Sequence, residues 1–193
     1  MVNQFVESPD FLQTVVDEAT KNSEEAKRLV ADLREDQLFW TSSPTTWSIA
    51  QCLDHLAVTS REFETHLIPA ITQGRSKWPI SSPVRYQPTW VGGWLIRQVV
   101  PETVRKVSAP KVFRPAESPR IENALENFLG QQERFLGSVD DAQGIDFNKT
   151  RLRSPVTRFI RYSVADAFVV TVVHGWRHLA QARRVREESG FPG

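Results

Sequence analysis

The sequence predicts an all-α fold, a four-helix bundle formed by one domain that spans residues 1–193. Apolar residues recur at helical spacing in four long stretches, the pattern of helices that pack against a common core. Helix-start signals precede these stretches. A chain of 193 residues with 40% apolar content is also long enough to bury a sizeable core within one domain.

Two Ser-Pro pairs mark the expected starts of the first and third helices, because serine caps a helix and proline suits its first position. Ser8 is the expected cap, and Pro9 the first residue, of a helix that runs to about Leu33. Ser118-Pro119 is expected to begin the third helix, which ends before an irregular stretch at about 138–162.

Two capping boxes mark the starts of the second and fourth helices. In this motif the first and fourth side chains each accept a hydrogen bond from the other's main-chain N–H group. Ser48-Ile49-Ala50-Gln51 fits it and predicts a helix to about Thr72, which Pro69 is expected to kink or close. Ser163-Val164-Ala165-Asp166 fits it as well and predicts a last helix that ends near Glu188.

The connection between the second and third helices is unusually long. It covers about 74–117, is rich in Pro, Trp and basic residues, and is expected to be irregular around one short apolar piece from Trp90 to Val100. A crossover of this length allows the two helices to run parallel, whereas the short link between the first two helices predicts an antiparallel pair. Such long irregular segments are usually functional or disordered.

Composition and charge argue against several functional classes, among them nucleic-acid-binding and membrane-spanning proteins. The formal net charge is only +1, and the basic residues of the crossover alternate with Pro and Val rather than with aromatic residues that would stack on bases, so nucleic-acid binding is not expected. No stretch is long and apolar enough for a membrane span, and the N-terminus carries no secretory signal, so we expect a cytoplasmic protein without a membrane partner. The single cysteine, Cys52, excludes an internal disulfide.

The histidines carry the strongest functional signal. His174 and His178 lie four residues apart, on one inward face of the last helix, so they can hold one ion between them. His55, at the edge of the apolar face of the second helix, can supply a third imidazole. Three protein ligands with an open position are typical of a catalytic metal. His66 lies three turns from His55, about 16 Å along the helix, and is left out of this set.

Other readings of these side chains remain open. A buried histidine is often a hydrogen-bonded core residue, although two inward histidines on adjacent turns each need partners for their ring nitrogens. Cys52 lies on the apolar side of its helix and is expected to be a buried, inert thiol. Glu62 and Gln181 are candidates for outer partners of the metal site or for substrate contacts. Arg177 is expected to form surface salt bridges, with an anionic substrate as the alternative.

Two segments resemble the signature segments of the DinB/YfiT-like superfamily. Trp47-Ser48-Ile49-Ala50-Gln51-Cys52-Leu53-Asp54-His55-Leu56 is similar to its W-S-x6-H-L pattern, and His174-Gly175-Trp176-Arg177-His178-Leu179-Ala180-Gln181 to its H-x-x-R-H-x-x-Q pattern. The resemblance covers nearly the whole chain. It implies an up-down-down-up bundle and a divalent metal, usually zinc or nickel, held by His55, His174 and His178. Homodimers are common in that superfamily.

The resemblance also narrows the chemistry. Its implied activities include thiol S-transfer with bacillithiol, a mycothiol-dependent isomerisation and metal-dependent hydrolysis. Ala180 stands where relatives fused into iron-dependent sulfoxide synthases carry a glutamate, so that activity is not expected. The leading hypothesis is a metal-dependent enzyme that acts on a small molecule as a thiol-dependent S-transferase or hydrolase, with a low-molecular-weight thiol as a candidate co-substrate. The alternative is a non-catalytic dimerising or ligand-sensing bundle.

Overall fold

The structure, a computed structural model, describes residues 2–102, 109–115, 123–157 and 159–193. Most of this part of the chain is helical. The helices are α1 (Asn3–Glu7), α2 (Phe11–Val30), α3 (Glu35–Leu38), α4 (Ile49–Lys77), α5 (Trp90–Val99), α6 (Ala124–Asp141) and α7 (Val164–Arg186), and a one-turn 3-10 helix covers Lys111–Phe113. Two short strands, β1 (Arg151–Arg153) and β2 (Arg161–Ser163), pair antiparallel just before α7.

The four long helices α2, α4, α6 and α7 form the bundle, which confirms the predicted fold class. Helices α2 and α4 each pack against both α6 and α7. Residues in the first half of α2 contact residues in the middle of α7, and residues late in α2 contact residues late in α7. The Trp176 indole N–H donates to Glu18 at 3.1 Å, and Arg186 donates to the Leu29 carbonyl at 3.1 Å. These two helices therefore run parallel.

Helices α4 and α6 also run parallel. Arg134 lies 3.8 Å from Glu64, and farther along both helices Arg75 pairs with Asp141 at 2.6 Å. This direction is the one that the long crossover between the second and third bundle helices predicts. The complete up-down-down-up order stays a prediction.

Both capping boxes form as predicted. The Ser48 hydroxyl accepts the Gln51 N–H at 3.1 Å, while the Gln51 side chain accepts the Ser48 N–H at 3.0 Å. At the start of α7, the Ser163 hydroxyl accepts the Asp166 N–H at 3.0 Å, and Asp166 accepts the Ser163 N–H at 3.1 Å. Each box satisfies main-chain donors that the first helical turn leaves without partners.

The predicted start of the first bundle helix is wrong by two residues. Helix α2 begins at Phe11, and its cap is Asp10, whose carboxylate accepts the Gln13 N–H at 3.1 Å. Ser8 instead ends the short helix α1, and its hydroxyl accepts the Asp10 N–H at 3.1 Å. An ionised carboxylate is a stronger acceptor than a hydroxyl at a helix N-terminus, which accounts for the shift.

The predicted end of the second helix and the irregular start of the crossover are also wrong. Helix α4 continues through Pro69 to Lys77. Its last turns stay helical because they pack inward: a Cβ atom at Gly74 would lie 2.7 Å from the Thr150 hydroxyl. The apolar piece within the crossover forms a regular helix, α5, which Thr89 caps and which packs on α7.

The third helix differs from its predicted bounds at its C-terminal end. Helix α6 reaches Asp141, and the stretch at about 138–162 contains the β1–β2 hairpin rather than irregular chain alone. The predicted start at Ser118-Pro119 lies outside the described residues. No helix in the described ranges is long and apolar enough to cross a membrane.

Gly175 in α7 lies against α2 and gives a stability prediction. A Cβ atom there would lie 2.4 Å from Asn22 Nδ2, which donates to the Val172 carbonyl at 2.9 Å. Gly175→Ala should destabilise the fold by about 1–3 kcal/mol through overpacking. Gly137→Ala is the matched control, because no atom of the described residues lies within 4 Å of its Cβ position in α6, and it should stabilise the fold by about 0.5–1 kcal/mol. Urea unfolding measures both effects, and equal effects of the two changes would contradict the assigned packing.

Candidate metal centre

A polar layer divides the core of the bundle. Of the two buried apolar clusters, one includes Phe63 of α4 and Val173 of α7, and the other includes Leu56 and Leu179 of the same helices. Buried polar residues lie between the two clusters on every bundle helix: Asn22 on α2, His55 and Thr59 on α4, Gln132 on α6, and His178 on α7. Burying this many polar groups at one level costs folding free energy unless each group is hydrogen-bonded or binds a ligand.

The three predicted metal ligands meet in this layer. One ligand atom from each of His55, His174 and His178 lies within 4.8 Å of the other two. The Nε2 atoms of His55 and His174 are 3.2 Å apart, and the ring centroids of the three pairs are separated by 4.4–5.0 Å. His55 and His178 are 3% and 7% exposed, whereas His174 is only partly buried.

The main-chain carbonyl of Phe113 fixes the orientation of His55. His55 Nδ1 lies 2.5 Å from the Phe113 oxygen. A carbonyl can only accept, so Nδ1 carries the hydrogen, and in the neutral ring the Nε2 lone pair faces the cluster. Burial lowers the pKa of His55 to about 4, although the Phe113 hydrogen bond opposes this effect. The ring is therefore neutral near pH 7, the state that a metal ligand requires.

The two histidines of α7 are also held neutral. Burial lowers the pKa of His174 well below its usual value, and electrostatic coupling to His178 and His55, which disfavours protonating more than one ring, adds to the effect. Burial lowers the pKa of His178 in the same way, with further contributions from His55 and Arg177. A side-chain interaction with Gln181 partly opposes this lowering. The Nδ1 atom of His178 is buried and has no hydrogen-bond partner among the described residues.

Trp47 closes one side of the cluster. Its ring centroid lies 4.8 Å from that of His55 and 5.7 Å from that of His178. Trp47 immediately precedes Ser48, the cap of α4, so the capping box that starts the helix also places the indole over the imidazoles. The indole ring therefore covers the His55 and His178 rings on one side of the cluster.

The residues fit a bound divalent ion. Two imidazole nitrogens that share a tetrahedral zinc ion at 2.0–2.1 Å lie about 3.3 Å apart, close to the 3.2 Å between His55 and His174. Burial keeps all three rings neutral near pH 7, and in the described part of the chain the buried Nδ1 of His178 has no hydrogen-bond partner. Three imidazoles suit zinc, nickel, iron or copper.

The other predicted side chains fall in different places. Glu62 is half-buried, and no contact with the three histidines is present among the described residues. His66 does not belong to the cluster. Cys52 is 0% exposed, and burial raises the pKa of its thiol to about 12, as expected for an inert cysteine. Arg177 donates to the Val100 carbonyl at 3.0 Å and so links α7 to the end of α5.

Sequence reasoning missed Phe113, which acts through its main-chain oxygen and so leaves no side-chain signal. Helical spacing does place Thr59 beside His55 as a polar neighbour, and its buried hydroxyl has no hydrogen-bond partner among the described residues. Two surface pockets of about 460 and 550 Å³ lie elsewhere, and none of the three histidines lines them.

The sequence matches a known protein family. A sequence model of the DinB superfamily matches residues 18–182, a range that includes all three histidines, the whole of α4 and α6, and most of α2 and α7. Comparisons with curated proteins and with solved structures gave no match.

Proposed function

Because this chain belongs to the DinB superfamily, we propose that it is a metal-dependent enzyme whose ligands are His55, His174 and His178. The expected ion is zinc or nickel, and the expected reaction is thiol-dependent S-transfer to, or hydrolysis of, a small molecule. The observation that carries the proposal is the convergence of three neutral imidazoles, with ligand atoms within 4.8 Å of one another.

The ion would supply a Lewis acid that makes a water or a thiol easier to deprotonate near neutral pH. The protein's own groups prepare the site. His55 donates from Nδ1 to Phe113 and so presents Nε2, while Trp47 packs against the His55 and His178 rings. The partly exposed His174 marks the side on which substrate approaches.

Gln181 is the better of the two candidate outer residues. It lies beside His178 closely enough to influence the pKa of that ring, whereas Glu62 has no such relation to the cluster in the described part of the chain. Gln181 can turn its amide toward the His178 nitrogen that lacks a partner, which would orient the ligand ring.

A second candidate function is a non-catalytic bundle that dimerises or senses a ligand. The observation that favours it is the 3.2 Å separation of the His55 and His174 Nε2 atoms, which also permits a direct hydrogen bond between the two rings. In that case the histidines would be part of a structural polar layer.

Turnover by the metal-loaded protein separates the two candidates. The assay combines zinc- or nickel-loaded protein with cysteine and 1-chloro-2,4-dinitrobenzene for S-transfer, and with p-nitrophenyl acetate for hydrolysis. We expect turnover that disappears in His174→Ala/His178→Ala and persists in His66→Ala. Rates that are identical in the wild type and the double variant, or no turnover by loaded wild type with either substrate pair, would favour the non-catalytic bundle.

A further inference from the structure

One turn of the crossover lies directly along α4 beside the histidine cluster. The carbonyl of Phe113 accepts from His55 Nδ1 at 2.5 Å, and its ring stacks on Phe63, two helical turns farther along α4, with 6.0 Å between the ring centroids. The Phe113 side chain is 8% exposed. This single residue therefore contacts α4 at two points, one through its main chain and one through its ring.

The direction of the Phe113 carbonyl is fixed locally as well. The Phe113 N–H donates to the Pro110 carbonyl at 2.8 Å, and the Arg114 N–H donates to the Lys111 carbonyl at 3.3 Å. These hydrogen bonds close the 3-10 turn, and the buried ring then holds the turn against α4. The ring is thus the anchor that keeps the carbonyl within reach of His55.

We propose that Phe113 is a positioning residue of the metal site: its carbonyl selects the His55 tautomer, and its buried ring holds that carbonyl in place. Only the effect of Phe113 on metal affinity rests on the proposed function; its effect on the His55 tautomer does not. Without the anchor, a neutral His55 can carry its hydrogen on either nitrogen, and the Nε2–H form has no lone pair directed at the cluster. Outer partners of this kind change metal affinity by about 10- to 100-fold.

The coupling works in both directions. Metal bound to one imidazole nitrogen makes the other N–H a more acidic donor, which strengthens its bond to a carbonyl. Since binding and conformational coupling are reciprocal, metal loading should hold the 111–113 turn more firmly against α4. The stability of the 111–113 turn against α4 then depends on whether the site holds a metal ion.

The tautomer is measured first, in metal-free protein, by long-range ¹H–¹⁵N NMR correlations of the imidazole rings. Wild type should have His55 in the Nδ1–H form, Phe113→Ala should have a mixture, and Phe113→Leu should restore much of the wild-type form because it keeps an apolar anchor. Phe135→Ala is the matched control, since it removes another buried ring, 5.7 Å from Phe168 and outside the cluster. It should leave the tautomer unchanged.

Zinc titration and hydrogen exchange then test the coupling. We expect Phe113→Ala to weaken zinc binding by about 10- to 100-fold and Phe135→Ala to leave it unchanged. In wild type, zinc should slow exchange of the Phe113 and Arg114 amides.

Three results would overturn the inference. One is an Nε2–H tautomer in wild type, which requires no variant and so stands even if Phe113→Ala does not fold. Another is the same tautomer and zinc affinity in Phe113→Ala as in wild type, and the third, in wild type that binds zinc, is exchange of the Phe113 and Arg114 amides that zinc does not change. If wild type binds no zinc but its tautomer depends on Phe113, the positioning role holds and the proposed function fails.

Discussion

Replacing His174 and His178 together with alanine should abolish zinc binding while the helical fold persists. The change removes two of the three imidazoles that lie within 4.8 Å of one another, and a single remaining histidine cannot hold the ion. The fold should persist because the variant also removes polar groups buried at the boundary between two apolar clusters. Calorimetric titration with zinc measures binding, and far-ultraviolet circular dichroism measures helicity.

The stability that zinc adds should vanish with the ligands. A ligand at 100 times its Kd stabilises the folded state by about 2.7 kcal/mol. For a chain of this size, that corresponds to a rise in Tm of roughly 5–11 °C. His66→Ala is the matched control, because His66 lies on α4 outside the cluster, and its Tm should rise with zinc as in wild type. An unchanged zinc-induced rise in the double variant would show that the ion binds elsewhere.

Replacing Asp166 with alanine should cost about 4 kcal/mol of folding free energy. Asp166 is fully buried at the start of α7. Its Oδ1 accepts from the Tyr86 hydroxyl at 2.9 Å and the Thr89 N–H at 3.3 Å, and its Oδ2 accepts from the Thr89 hydroxyl at 2.7 Å and the Ser163 N–H at 3.1 Å. The variant leaves these donors without an acceptor, and urea unfolding measures the loss.

An exposed carboxylate provides the comparison. Asp141 pairs with Arg75 at the surface, so Asp141→Ala should cost less than about 1 kcal/mol. Gly92→Ala should also destabilise the fold strongly, because a Cβ atom there would lie 2.0 Å from the Asp166 carboxyl carbon. If Asp166→Ala costs no more than Asp141→Ala, Asp166 does not join the crossover to α7 in the way described.

Features set by neighbouring residues were predictable from sequence. A capping box needs only two side chains three residues apart, so both boxes could be located at Ser48 and Ser163. Helical spacing likewise placed His174 and His178 on one face. The residue that caps α2 depends on the relative strength of two nearby acceptors, Ser8 and Asp10, and the Ser-Pro pattern alone does not predict that Asp10 is the cap.

Features set by distant contacts were not predictable. Pro69 was expected to kink or close α4 near Thr72, but the helix continues to Lys77 because its later turns pack against Thr150. Asp166 was expected only to cap α7, whereas it also binds Tyr86 and Thr89 from the crossover. The Phe113 carbonyl comes from a residue 58 positions from His55, and every residue carries such a carbonyl.

The most direct test of the three-histidine site is elemental analysis of untagged protein purified without added metal, and again after incubation with zinc or nickel and removal of the excess. The geometry of His55, His174 and His178 predicts about one ion per chain. No stoichiometric metal in either preparation would contradict the metal site, and the three histidines would then be a structural polar layer of the bundle.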